Sequence, residues 1–227
     1  ANFDDPTVKA HENFNTVIWT GDGDTTSQEI DSGIDLKSDH SMIWAKGRNN
    51  SPDVHHAVFD TVREADYGNS VALQPNTDIA EYSFTNFTIN TDKSFDAAYS
   101  SSGSYSFNDS TETYVAWCWK ENASAGFDIV TWTGDSGSSG SGYSEQSVSH
   151  SLGVAPEMII AKARTDNALS SKYYLEDWAV YHKDLSSDYF LNLNLTSAQT
   201  QHDGSLFSSI GASSVSFGND GYAYQYL

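Results

Sequence analysis

The chain has 227 residues, with 31 acidic against 11 basic side chains, a formal net charge of −20 and an isoelectric point near 4.3. Such a field repels phosphate backbones and anionic bilayers, and no basic patch offsets it, so nucleic-acid binding and membrane insertion are not expected. Six Trp, 13 Tyr and 11 Phe carry much of the apolar content; aromatics favour strands and bury large areas, enough here for one large core or two smaller ones.

Residues 1–16, ANFDDPTVKAHENFNT, are polar with isolated Phe3, Val8 and Phe14, and show no periodic pattern. They are expected to form an arm that laces onto a neighbouring subunit. Val17 to Thr20 alternates as a strand and stops at Gly21-Asp22-Gly23, a turn sequence. Asp22 and Asp24, with Glu29 and Asp31 nearby, offer hard oxygen ligands of the kind Ca²⁺ takes, although the spacing is not that of an EF-hand. The alternative is a plain Asx-type turn, which the second half of the chain favours because its matching turn keeps only Asp135. Short alternating or apolar runs follow at Met42 to Arg48, His56 to Val62, Ser70 to Asn76 and Ser83 to Ile89. Thr111 to Trp119, TETYVAWCW, reads as the strongest strand, with Tyr114, Ala116 and the lone Cys118 facing one way and Val115, Trp117 and Trp119 the other. Cys118 is expected to be a buried thiol.

After a linker-like stretch, Lys120 to Asp128, the blocks recur in the same order. WTGDG at Trp19 meets WTGDS at Trp132, MIWAKGR at Met42 meets MIIAKAR at Met158, HAVFDTV at His56 meets WAVYHKD at Trp178, and SVALQPN at Ser70 meets YFLNLNL at Tyr189. The offset drifts upward, as in a repeat whose loops have grown while its strands have kept their length. The expected fold is therefore all-β: two duplicated antiparallel β-sandwiches of jelly-roll or concanavalin-like type, spanning 17–122 and 127–227. No stretch is apolar enough for a membrane-spanning helix.

The series from WTG at Trp132, through GVAPEMIIAKAR (Gly153 to Arg164), WAVYHK (Trp178 to Lys183) and YFLNLN (Tyr189 to Asn194), together with YVAWCW (Tyr114 to Trp119), is similar to a repeated domain of uncharacterised function found in virion proteins of tailed bacteriophages, often marine ones. The resemblance implies tandem sandwiches in tail-fibre-like, spike or head-decoration proteins at the virion surface. It brings no activity with it. The first copy departs from the pattern by lacking the Pro-Glu pair and by reading HHAVFD in place of WAVYHK; the second lacks a clear YVAWCW.

Catalytic and metal signatures are weak. His55 and His56 are adjacent on a strand and point to opposite faces, which does not suit one metal. Carboxylates are plentiful, among them Glu64, Asp66, Asp78, Glu81, Glu112, Glu157, Glu176 and Asp177, yet none is marked by its neighbours as half of a glycosidase pair. GSSGSG from Gly137 is a low-complexity loop and not a nucleophile elbow. Aromatics are the better binding candidates: Tyr173 and Tyr174 lie in an insertion where sugar rings or partner proteins would stack, with Trp178 beside them unless it belongs to the core. The expectation is a non-enzymatic virion surface protein without a required cofactor. Its partners would be other virion proteins, copies of itself and a host cell-surface glycan; the rival class is a carbohydrate-binding module aided by calcium.

Overall fold

A computed structural model describes residues 8–49, 55–67, 70–90, 93–100, 106–133, 145–165, 177–186, 188–201 and 206–218. In chain order it contains a one-turn helix α1 (Ala10–Asn13), then β1 (Phe14–Thr20), β2 (Gln28–Asp31), β3 (Ser41–Gly47) and β4 (Ala57–Asp60). Helix α2 (Thr61–Tyr67) precedes β5 (Val71–Ala72), β6 (Tyr82–Ser83), β7 (Phe87–Ile89), β8 (Ser94–Ala97) and β9 (Thr113–Lys120). The second half supplies β10 (Gln146–Ser149), β11 (Met158–Ala161), β12 (Ala179–His182), β13 (Tyr189–Asn192), β14 (Thr200–Gln201), β15 (Phe207–Ile210) and β16 (Ser214–Phe217). The fold is all-β, in antiparallel sheets, with little helix.

The chain divides into two compact units, Ala1–Ala72 with Ser83–Ile129, and Leu73–Tyr82 with Val130–Leu227. The stretch 73–82, which reads as part of the first copy, thus belongs with the second unit. There the Glu81 carboxylate takes the Arg164 guanidinium at 3.0 Å, and Lys162 Nζ donates to the carbonyl of Asp78. The N-terminal arm is also shorter than expected, because α1 and the first residues of β1 occupy positions 10–16.

In the first unit β9 is the middle of a four-stranded sheet, order β1-β9-β3-β4. Register places Trp19 beside Tyr114, Ala116 beside Ala45 and Cys118 beside Ile43, all on the buried face, as the alternation of TYVAWCW requires. The second sheet, order β2-β8-β7, contributes Phe95 and Phe87. Trp19 meets Phe95 with ring centroids 5.5 Å apart, and Phe59 of β4 stacks on Phe87 at 4.0 Å, so the core is a set of rings gathered between two sheets. Polar ends are satisfied: the Trp19 indole donates to the carbonyl of Phe107 at 2.9 Å, and the Tyr114 hydroxyl accepts from the Asp109 amide. Cys118 is buried and free, its thiol pushed up to about 12 by burial.

The second unit repeats two of the first unit's pairings. Met158↔His182 through Ala161↔Ala179 matches Met42↔Asp60 through Ala45↔Ala57 residue for residue, and the sheet order β10-β16-β15 matches β2-β8-β7. Its core mixes small side chains, including Val148, Ala161, Ala179 and Val215, with Phe190 and Phe217. Residues 130–133 form no strand, yet Trp132 still stacks on Phe217 at 4.7 Å, as its counterpart Trp19 packs on Phe95.

Phe59 is fully buried and touches Phe84, Phe87 and Phe107, so Phe59→Ala should destabilise the protein by about 3–5 kcal/mol in urea unfolding. Half-exposed Phe14, replaced by Ala, should cost about 1 kcal/mol or less in the same measurement.

Candidate functional site

A cleft of about 1080 Å³ opens in the first unit between the loop before β3, the start of α2, strand β7 and the residues that follow β9. Three signals in the chain shape it. Asp60 accepts the Arg63 amide at 2.8 Å and pairs with its guanidinium, which caps α2 and turns the chain sharply out of β4. Thr61 Oγ1 then accepts the Ser41 amide at 3.0 Å, tying the helix start to β3. Phe87 and Ile89 point into the core from β7, while Thr88 between them is exposed toward the cleft side.

The cleft wall is polar. Glu64 receives Lys37 Nζ at 3.2 Å on one oxygen and the Ser70 hydroxyl at 3.1 Å on the other, so its carboxylate is held in place by two partners. Glu121 is anchored through its amide, which donates to the carbonyl of His40 at 2.7 Å. Its Oε2 is buried without a hydrogen-bond partner. Burial first, and then the neighbouring carboxylates of Asp128 and Asp39, hold the Glu121 carboxyl above its ordinary range against the opposing pull of His40. The wall therefore combines a cation, carboxylates, an imidazole and several hydroxyls, a set that suits a hydroxyl-rich neutral ligand better than a bare ion.

The second unit has a smaller cleft of about 380 Å³, lined by Tyr181, Lys183, Asp188, Tyr189 and Ser208 among others. Two of its walls correspond to walls of the first cleft. Lys183 follows β12 as Thr61 follows β4, and Phe207 faces Phe217 across the β15–β16 ladder as Phe87 faces Ala97 across β7–β8. Where the first unit joins Ser41 to Thr61, the second has an ion pair: Lys183 Nζ lies 2.6 Å from Glu157 Oε1, which lowers the carboxyl and raises the ammonium.

Of the residues singled out by sequence, Asp22 and Asp24 are engaged in their own loop. Asp22 Oδ1 accepts the Asp24 amide and Asn108 Nδ2, each at 2.8 Å, and Asp24 Oδ1 accepts the amide and hydroxyl of Thr26. Those bonds to Thr26 hold the Asp24 carboxyl low. This is the Asx-type turn, and among the described residues no group of three or more His, Cys, Asp or Glu is arranged to hold a metal. Trp178 is a core residue and not a stacking platform: it is 6% exposed, and its indole donates to the carbonyl of Gln74 at 3.0 Å. Tyr173, Tyr174 and Glu176 lie outside the described residues. Asp177 accepts Asn194 Nδ2, and Glu81 and Glu157 are in ion pairs. The structure brings none of these predicted residues into the first cleft except Glu64. Sequence reasoning missed His40 and Glu121; the available signal was that Glu121 directly follows the strongest strand, where loops collect at a sheet edge.

Residues 9–225 match the family described as a domain of unknown function (DUF7483). The chain belongs to that family. No curated protein and no solved structure matches it.

His56 offers a measurable test of the local electrostatics. Its Nδ1 accepts the Trp44 indole N–H at 2.9 Å, and burial, with Lys46 and His55 nearby, holds the ring down at about 4 from an ordinary 6.5. The unfolded chain takes up this proton as pH falls through 6.5 and the folded protein only near 4, so His56 should lower stability across that window. Glu121 acts with the opposite sign, since a raised carboxyl gives stability that is lost as pH rises through its folded value. Urea unfolding between pH 7 and 4 should therefore fall less steeply in His56→Gln than in the parent protein, and the His56 ring protons should titrate near pH 4 by NMR.

Proposed function

We propose that the protein is a surface component of a tailed-bacteriophage virion, a tail fibre, spike or head decoration, built as two duplicated concanavalin-like or jelly-roll sandwiches. In this reading it binds a host-surface glycan and other virion proteins, copies of itself included, and does not transform them. Support for the address comes from GVAPEMIIAKAR and WAVYHK in the second copy and YVAWCW in the first. Support for binding comes chiefly from one observation: each unit opens a cleft lined by the residues that follow β4 or β12 and by strand β7 or β15.

Corresponding walls with altered lining are what a duplicated binding scaffold produces when one copy is tuned away from the other. Hydroxyl and carboxylate groups of the first cleft match the donors and acceptors of a sugar, and the bonded state of Glu64 suits it to accept hydrogen bonds rather than to exchange protons.

Labelled protein should bind a subset of bacterial surface polysaccharides on an array without releasing reducing ends. Glu64→Gln should weaken that binding about tenfold, the scale of one lost charge-assisted hydrogen bond. Absence of binding, binding indifferent to Glu64→Gln, or release of fragments would each overturn the glycan reading. Immunogold labelling of purified particles that encode the chain tests the address separately: label on tails or heads supports it, and unlabelled particles exclude it.

A further inference from the structure

The outward face of the β1-β9-β3-β4 sheet in the first unit is apolar as well as its buried face. Register sets Phe14, Trp119 and Met42 in one row, Thr16, Trp117 and Trp44 in the next, and Ile18, Val115 and Lys46 in a third, so the face is mostly apolar with Thr16 and Lys46 among its members. Ile18 is 61% exposed and Phe14 40%, while both β9 tryptophans are half-buried. Phe14 and Trp119 touch with centroids 5.1 Å apart, as do Trp44 and Trp117 at 6.3 Å, so the rings form one continuous patch. A sheet with two apolar faces needs cover on both.

Charge identifies the occupant. The chain carries −20, so two copies repel wherever carboxylates face each other. On the four strands the outward positions hold one carboxylate, Asp60, and it is buried in its pair with Arg63. The only outward cation is Lys46, in the third row. This face therefore lets a like-charged copy approach without setting carboxylates against each other, and its Trp, Phe and Met content is that of an interface core.

We infer that this outward face, centred on Trp117 and flanked by Phe14 and Ile18, is where two copies of the chain pack sheet against sheet about a twofold axis. The inference rests on the self-association part of the proposed function. Three strands spaced about 4.8 Å and seven residues of about 3.3 Å give a footprint of about 350 Å². That is under half of the roughly 800 Å² per partner of a standard interface, so the dimer dissociates on dilution. Because the attraction is apolar and the opposing field is long-range, added salt strengthens it.

Sedimentation velocity over a concentration series, at low and high salt, tests this. The parent chain should show a monomer–dimer equilibrium that shifts toward dimer with salt. Ile18→Glu and Phe14→Glu, both at exposed sites, should weaken it about tenfold or more by placing a charge in the contact. Val154→Glu, an equally exposed apolar site in the second unit, should leave it unchanged. Urea unfolding of each variant confirms that the fold is kept. A parent chain monomeric throughout would sink self-association and this face together; a dimer untouched by Ile18→Glu and Phe14→Glu would sink the face and leave self-association standing.

Discussion

The first unit depends on the two-sided packing of β9. Its alternation sends Tyr114, Ala116 and Cys118 into the core and Val115, Trp117 and Trp119 outward, while backbone ladders tie it to β1 on one side and β3 on the other. A shift of one residue would exchange the two sets, putting indoles where the small Ala116 now lies beside Ala45. Ala against Ala lets the rings of Trp19 and Tyr114 stack at 5.2 Å over the same face. The inner ring cluster and the outer apolar face are thus consequences of one register.

The two units show what a repeated strand plan preserves. Register between β3 and β4 is reproduced between β11 and β12, and in the three-stranded sheets Ile30 opposite Phe95 becomes Val148 opposite Val215, all four buried. Ring-on-ring contact is denser in the first unit; in the second, Trp132 on Phe217 and Phe207 between Phe217 and Tyr181 keep aromatic contacts among aliphatic side chains. Pairing geometry tolerates such exchanges because side-chain volume can be redistributed while the hydrogen-bonded ladder stays fixed.

Much of this was legible from alternation alone: the burial pattern of Thr113–Lys120 and the correspondence of MIWAKGR with MIIAKAR needed no contact information. Helix α2 was hidden because Thr61–Tyr67 is too short for a helical period to emerge and its start is set by Asp60 and Arg63, which look like ordinary surface charges. Strands β2 and β8 are four residues each, with polar partners at alternate places, and only their ladder reveals them. The first cleft was invisible for a further reason. His40 and Glu121 are far apart in the chain and meet because β9 and β3 are neighbours in the sheet. Trp178 shows the reverse limit: an aromatic that opens a strand beside acids fits either the core or a binding surface until burial is known.

The clefts draw on corresponding strands. In the first unit the chain leaves the sheet after the edge strand β4, whereas in the second β12 turns back into the same sheet as β13, and in both the residues after that strand and strand β7 or β15 line the cleft. The chemistry of the two clefts differs. The Ser41–Thr61 link is neutral and buried, and its counterpart Glu157–Lys183 is an exposed ion pair whose strength is screened by solvent. The first cleft therefore has a rim fixed by packed hydrogen bonds, with Glu64 and Glu121 held against it, and the second has a rim that solvent competes for. Discrimination between ligands needs groups that cannot relax to accommodate the wrong one. By that criterion the lining of the first cleft is the more firmly fixed of the two.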